Sequence, residues 1–133
     1  MQLVYLENPA IKPETVACLR KAVGWDSRLE QLKKTIDSTY LIMTCFHGKN
    51  LVGFVDVISD GVDDALIRNL MVHPHYRGKG IALNLLKSTA DRLSKDRIKT
   101  VNVLFEPELA DLYHKAGFKI IYGGIIDNEK GES

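Results

Sequence analysis

The sequence has few cysteines, no long apolar run and almost no excess of charge of either sign. Cys18 and Cys45 are the two cysteines among 133 residues. They form no C-x-x-C pair and are too few for a disulfide scaffold, so we expect two buried thiols. No apolar run approaches the roughly 20 residues that cross a bilayer, and no basic stretch followed by an apolar one opens the chain. These absences predict a cytoplasmic protein that does not associate with a membrane.

The charges nearly balance, with 18 Lys and Arg against 17 Asp and Glu, which gives a net charge of +1. Such a chain has no basic field for nucleic acid, and it must hold any anionic ligand through a local site. A length of 133 residues with 45% apolar residues is ordinary for one globular domain. We predict a single domain over residues 1–127 and a polar tail over residues 128–133.

The spacing of apolar residues predicts the element order β-α-α-β-β-β-α-β-α-β. Six segments are predicted as strands: residues 2–7, 40–46, 51–58, 65–72, 100–105 and 118–122. Four segments are predicted as helices: one from Pro13 to a glycine cap at Gly24, one opening with a capping box at residues 27–30, one over residues 81–94 and one over residues 108–116.

The two strands that flank the third helix should run parallel through a right-handed crossover, and the earlier strands should pair antiparallel. The predicted fold class is therefore α/β (α+β), a mixed and mostly antiparallel sheet with helices on both faces.

The segment with the clearest chemistry leaves a strand, turns through Gly78 and Gly80, and enters the third helix. Glycines allow a positive φ and a close approach of the backbone to a ligand. The first amides of a helix have no partner within it and carry partial positive charge, which suits an anion such as a pyrophosphate. Arg77 and Lys79 add formal charge. Neither a G-x-G-x-x-G fingerprint nor a Walker P-loop is present, and two glycines alone would indicate only a tight turn.

The whole string resembles the signature of the GNAT superfamily of acyl-CoA-dependent N-acyltransferases. In that family a strand ending in Val-x-Pro precedes an Arg/Gln-x-x-Gly-x-Gly/Ala loop. Val72 and Pro74 match the strand end, and Arg77, Gly80 and Ala82 match the loop.

A second family element follows one helix and one strand later. Its pattern, Tyr-x-Lys-x-Gly-Phe, is matched by Tyr113, Lys115, Gly117 and Phe118. The order of predicted elements fits the family along nearly the whole chain. The resemblance implies a GNAT-like sheet with a splayed parallel strand pair and implies acetyl-CoA as co-substrate. No metal is expected, because no cluster of Cys or carboxylate ligands completes a site.

The resemblance also implies which residues contact the co-substrate. Backbone N–H groups at one strand end would hold the pantetheine arm and the acyl carbonyl: Leu70, Met71 and Val72. The loop and the first helical turn would hold the pyrophosphate: Arg77, Gly78, Lys79, Gly80, Ile81 and Ala82.

The resemblance places the general acid at Tyr113, whose phenol remains protonated at neutral pH and can donate to the leaving thiolate. The alternative is that this tyrosine only packs its ring. Glu106 stands where many family members carry an asparagine, and it is a candidate base for the proton of the attacking amine. An exposed strand-end carboxylate without catalytic role is an equal alternative for Glu106. The missing asparagine also puts one pantetheine contact in doubt.

Asp56 lies within a predicted strand, on a sheet face that relatives use for substrate. An inward Asp56 would favour a cationic acceptor, whereas an outward one would be a solvated edge. His73 and His75 flank Pro74, but no further ligand completes a metal site. The chain is short after Phe118, so a neighbouring subunit is expected to wall the acceptor site, which favours a homodimer.

The predicted function is transfer of an acetyl group from acetyl-CoA to the primary amine of a small molecule. Two alternatives stay open: a protein lysine or N-terminal acetyltransferase, which would need an open peptide groove, and a non-catalytic acyl-CoA-binding module, which would lack a working acid and base.

Overall fold

Five strands and four helices follow one another in nearly the predicted order in the structure, a computed structural model that describes residues 1–129. The strands are β1 (Val4–Glu7), β2 (Leu41–His47), β3 (Asn50–Ser59), β4 (Asp64–Val72) and β5 (Thr100–Val103). The helices are α1 (Pro13–Ala22), α2 (Leu29–Thr35), α3 (Ile81–Lys95) and α4 (Ala110–Lys115). Three short 3₁₀ turns accompany them at Ile36–Ser38, Pro74–Tyr76 and Pro107–Leu109.

The strands form one sheet in the order β1-β2-β3-β4-β5. The first three pairings are antiparallel, and β4 pairs parallel to β5. The parallel pair requires a crossover, and α3 provides it. The predicted mixed, mostly antiparallel sheet is thereby confirmed.

Helices cover both faces of the sheet because successive strand residues point to opposite sides. On β2, Leu41 and Met43 join the core against α3, whereas Ile42 joins the core against α1. The core on the α1 side consists of Val16, Leu19, Ile36, Ile42, Leu51, Phe54 and Met71. The buried hydrophobic residues that α3 and α4 contribute to the other side are Ile81, Leu85, Leu86, Leu93 and Tyr113.

The parallel strands β4 and β5 separate halfway along β4. Their pairing runs from Asp64 with Thr100 to Ile67 with Val103. From Arg68 to Val72, β4 remains a strand with β3 on one side, and it has no strand partner on the other side within residues 1–129. We call this opening the splay, and it confirms the predicted separation of the two strands.

The predicted strand at residues 118–122 is wrong for the described chain, in which no strand follows β5. The segment runs beside β5 across a cavity of about 560 Å³, which separates it from the edge it would have to join. Ile121 and Tyr122 point into solvent there. An apolar alternating pattern indicates a strand only where a partner edge is within hydrogen-bonding reach.

Two smaller expectations also fail. Arg28, with a left-handed backbone, stands at the start of α2 with no side-chain cap, so the predicted capping box is not formed. Cys45 is buried as expected, but Cys18 is exposed on α1.

Candidate functional site

A β-bulge interrupts β4 where the splay begins. Asp56 pairs with Arg68 and Phe54 pairs with Met71, so β4 carries one more residue than β3 between these two pairs. Asn69 lies in this bulge with φ 59°, in the left-handed region. A bulge bends its strand and disturbs the regular ladder, which is the local reason that β4 changes course here.

Beyond the bulge, backbone donors of β4 point into the splay. The His73 N–H donates to the Val52 carbonyl on β3 at 2.8 Å. Since N–H groups of successive strand residues point to opposite edges, those of Val72 and Leu70 point away from β3. The Met71 N–H points back toward β3, where this residue pairs with Phe54. Of the three predicted strand donors, Leu70 and Val72 therefore have the orientation that a ligand in the splay needs.

The glycine loop leads directly into α3. Gly78 has φ 78° and Gly80 has φ 80°, and an added Cβ at either position would meet nothing within 4 Å. The first bond of the helix joins the Asn84 N–H to the Gly80 carbonyl at 3.0 Å. No side chain caps the helix, so the N–H groups of Ile81 and Ala82 have no partner within it. Open space beside an uncapped helix terminus fits a diphosphate.

Side chains hold this loop in place from two sides. Arg77 is exposed, and its Nε donates to the Val72 carbonyl at 3.3 Å, which links the loop to the end of β4. Tyr76 forms a 2.6 Å hydrogen bond between its hydroxyl and Nδ1 of His47. Lys79 is exposed between the two glycines. The predicted loop is thus tied to the end of β4, the strand that borders the splay.

Tyr113 lies on α4, the helix that follows β5 in the chain. Its ring stacks on Phe105 with centroids 4.3 Å apart and meets Phe118 edge-on at 5.8 Å. The residue is only 4% exposed, and burial raises the pKa of its phenol above the usual 10.0. The hydroxyl forms no hydrogen bond with any residue from 1 to 129. Within that range, every side-chain oxygen that is fully inaccessible to solvent has a hydrogen-bond partner. Burial thus favours the protonated hydroxyl, and no described residue accepts its proton.

Glu106 precedes the 3₁₀ turn at Pro107–Leu109 and is exposed. Its backbone carbonyl accepts from the Leu109 N–H at 2.9 Å. The base role for its carboxylate stays a prediction.

Asp56 faces the protein, with 4% of its surface exposed. Its carboxylate accepts two hydrogen bonds from Arg68, from Nε at 2.9 Å and from Nη2 at 3.3 Å, and a third from Asn69 Nδ2 at 3.3 Å. Burial raises the pKa of Asp56, while the charge and hydrogen bonds of Arg68 and the hydrogen bond of Asn69 oppose the rise. The charge predicted to meet a cationic acceptor is thus already paired within the sheet.

Sequence reasoning assigned no role to Asn69 and Arg68, and it missed Arg20, which donates to the Asn69 side-chain oxygen at 3.3 Å. The sequence did offer one signal for Asn69. Asparagine adopts the left-handed region more readily than most other residue types, so an asparagine within a predicted strand can indicate a bulge. Nothing in the local sequence connects Arg20 to it, since the two residues are 49 positions apart.

No group of three His, Cys, Asp or Glu side chains within residues 1–129 is arranged to hold a metal ion. The ring of His73 accepts a hydrogen bond from the His75 N–H, so the pair is part of a local turn. No described helix is long and apolar enough to cross a membrane.

Comparison with known sequences gives one consistent result. The family model for an acetyltransferase (GNAT) domain matches residues 7–128. The uncharacterized N-acetyltransferase ycf52 of Gracilaria tenuistipitata var. liui is 28% identical over 121 residues, which cover 86% of this chain and 66% of that protein, just under two thirds. Histone acetyltransferase TAP1 of Glycine max is 23% identical over 136 residues, covering 93% of this chain and 59% of its own length.

Solved structures share the fold. A GNAT-family acetyltransferase from Streptococcus pneumoniae superimposes with a TM-score of 0.83 at 25% identity, covering 96% of this chain and 100% of its own. A protein of unknown function from meticillin-resistant Staphylococcus aureus gives 0.87 at 19% identity over 96% and 100%. The Escherichia coli N-acetyltransferase YhbS, solved in complex with CoA, gives 0.74 at 20% identity over 89% and 69%. At 19–20% identity the last two similarities concern the fold alone.

Proposed function

Because the chain belongs to the GNAT acetyltransferase family, we propose that it transfers the acetyl group of acetyl-CoA to the primary amine of a small molecule. The observation that carries the proposal is the splay, which opens beside the uncapped N-terminus of α3 after Ile67 and Val103 stop pairing. The strand donors lie at the end of β4 and the anion-binding donors lie at the start of α3, which the glycine loop joins to it.

The residues present fit acetyl-CoA. The N–H groups of Ile81 and Ala82, with the open space beside Gly78 and Gly80, would hold its diphosphate. The N–H groups of Leu70 and Val72 would hold the pantetheine arm and the acyl oxygen. When bound, the co-substrate supplies a thioester carbon open to attack and a thiolate that can leave.

The chain's own groups supply the rest of the chemistry. Donors fixed by β4 stabilise negative charge that develops on the acyl oxygen, and they need no reorganisation to do so. Tyr113 donates its proton to the departing sulfur, since burial keeps the phenol protonated. Glu106 accepts a proton from the amine, directly or through water. Holding both reactants in the splay contributes through proximity.

Calorimetry with acetyl-CoA and with the nucleotide 3′,5′-ADP tests the co-substrate assignment. We expect saturable binding of acetyl-CoA, which Gly80→Ala weakens. Absence of binding to the wild-type chain would overturn the proposal. Thiol release measured over a panel of amines and peptides then assigns the acceptor class.

One observation favours a second candidate, acetylation of a protein. TAP1, which resembles this chain over 93% of its length, is by name a histone acetyltransferase. Turnover on histone or N-terminal peptides without turnover on free amines would select this candidate. Binding of acetyl-CoA without turnover on either panel would select a non-catalytic acyl-CoA-binding module.

We propose in addition that the protein is a homodimer located in the cytoplasm. The outer edge of β5 lacks a strand partner within the described residues, and Ile121, Tyr122, Ile125 and Ile126 are exposed beside it. Exposed edges and apolar patches of this kind are usually covered. Light scattering tests the dimer, with loss of association expected for Ile121→Ser combined with Ile125→Ser. Cell fractionation tests the location.

A further inference from the structure

Asp56 is a buried carboxylate whose hydrogen bonds all go to the two β4 residues at the start of the splay. Arg68 approaches it with two guanidinium nitrogens, at 2.9 and 3.3 Å, and Asn69 approaches with its side-chain amide at 3.3 Å. A charge buried to this degree persists only where its partners are fixed. Direct recognition of an acceptor by Asp56 would require it to leave these partners.

Asn69 is the residue whose backbone the network could control. Its φ of 59° is unusual for a residue other than glycine. Its side chain is held at both ends: Nδ2 donates to Asp56, and Oδ1 accepts from Arg20 at 3.3 Å. Arg20 is itself fixed, because its Nε donates to the Asp26 carbonyl at 2.8 Å and its guanidinium lies over the Trp25 ring at 5.2 Å.

The backbone at Asn69 decides which way the following donors point. Without the extra residue of the bulge, the alternation of β4 would be shifted by one position, and the Leu70 and Val72 N–H groups would face β3. With the bulge in place, these groups face the splay. The left-handed conformation of one residue is therefore the local condition for the donor geometry.

From these contacts we infer that Asp56 is a positioning residue that acts through Asn69. Its carboxylate, together with Arg20, holds the Asn69 side chain so that the bulge keeps its left-handed backbone and the Leu70 and Val72 N–H groups remain directed at the acyl oxygen. This inference rests on the proposed function for its catalytic consequence, but its structural content concerns the free protein.

Glycine provides the discriminating test, because it adopts a positive φ without support from a side chain. In the wild-type background, Asp56→Asn should lower kcat about 10- to 100-fold, with a smaller change in the KM for acetyl-CoA. In an Asn69→Gly background the same substitution should have little further effect on kcat. An equal loss of kcat in both backgrounds would overturn the route through Asn69.

Two further variants separate positioning from simple destabilisation. Arg20→Gln removes the other hydrogen bond of the Asn69 side chain from a half-buried position, and it should lower kcat in the same sense as Asp56→Asn. Asp91→Asn changes an exposed carboxylate on α3 and should leave kcat unchanged. Thermal unfolding of every variant identifies any that fail to fold.

A measurement on the free protein keeps the outcome independent of catalysis. Backbone NMR chemical shifts of Asn69 and Leu70 report the left-handed conformation without any substrate. We expect the signature in the wild type, its loss in Asp56→Asn and Arg20→Gln, and its retention in Asn69→Gly. If the signature survives in Asp56→Asn, the inference is wrong even if the enzyme acetylates amines. If acetyl-CoA does not bind but the shifts change as expected, the proposed function fails and the positioning role stands.

Discussion

Gly53 lies on β3 beneath the first turn of α3, and replacing it with alanine should push that turn away from the sheet. An added Cβ would stand 2.7 Å from Cγ2 of Ile81, 3.1 Å from Cδ1 of Leu85 and 3.1 Å from Cβ of Cys45. Carbon atoms pack best at about 3.5–4.0 Å, so relief of the shortest contact requires a shift of roughly 1 Å. Ile81 and Leu85 are fully buried, so their side chains cannot move out into solvent to relieve the contact.

The expected magnitude follows from two opposing contributions. Overpacking of a core by one methyl group costs about 1–3 kcal/mol. Alanine has less conformational freedom than glycine in the unfolded chain, and this stabilises the folded protein by about 0.4–1 kcal/mol. The difference between the midpoints of the two ranges predicts that Gly53→Ala destabilises the fold by about 1.3 kcal/mol, and the Tm should fall by several degrees. Since Ile81 carries one of the N–H groups proposed to bind the diphosphate, acetyl-CoA should also bind more weakly.

Urea denaturation and calorimetry measure both effects, and Gly124→Ala is the matched control. Gly124 has no left-handed φ, and an added Cβ there would meet nothing within 4 Å, so its replacement should not destabilise the fold and could raise its stability by up to about 1 kcal/mol. Ile81→Leu removes the Cγ2 methyl while nearly conserving volume, and in that background Gly53→Ala should cost less. Free energies that add within about 0.5 kcal/mol in the double variant would refute the steric reasoning.

Three further predictions concern the acid and the loop. Tyr113→Phe should lower kcat about 100-fold while leaving the Tm nearly unchanged, because the hydroxyl has no hydrogen bond to a described residue; full turnover would remove the acid role. Because burial raises the pKa of Tyr113 above 10.0, its phenol should ionise above that pH in a difference titration against Tyr113→Phe. Burial favours the neutral phenol of Tyr113 in the folded protein. Its contribution to the free energy of unfolding is therefore fully present below the pKa of tyrosine in the unfolded chain, and it is lost as pH rises through the higher pKa of Tyr113 in the folded protein. Gly80→Ala should cost about 1–2 kcal/mol in urea denaturation, since alanine disfavours a φ of 80° and no contact compensates; an unchanged free energy of unfolding would contradict this.

The elements that the sequence predicts well are those governed by local pattern. The change from helical spacing to strand spacing near Tyr40 located β2, β3 and β4 to within one or two residues. Gly78 and Gly80 indicated the loop because the ability to adopt a positive φ depends on the residue type and not on distant contacts. Both glycines have a positive φ in the structure. The uncapped start of α3 follows directly from where the loop ends.

The features that the sequence could not predict depend on contacts between distant positions. Asp56 meets Arg68 and Asn69 across 12 and 13 positions, and Arg20 meets Asn69 across 49. Only the fold brings these side chains together, so Asp56 looked free to meet a substrate when it is already paired. The missing last strand has the same origin, because a strand needs an edge that local pattern cannot supply.

The bulge at Asn69 lies between two features of the candidate site, the opening between β4 and β5 and the N–H groups of Leu70 and Val72. Parallel pairing with β5 ends at Ile67, two residues before Asn69, and the N–H groups of Leu70 and Val72 face the opening immediately after it. A bulge bends its strand and shifts the alternation that follows by one residue. One left-handed residue thus accounts both for the space that a pantetheine arm would occupy and for the donors that would line it. A regular β4 would continue its ladder with β5 and direct those donors into β3, leaving the proposed diphosphate site at the start of α3 with no cleft beside it.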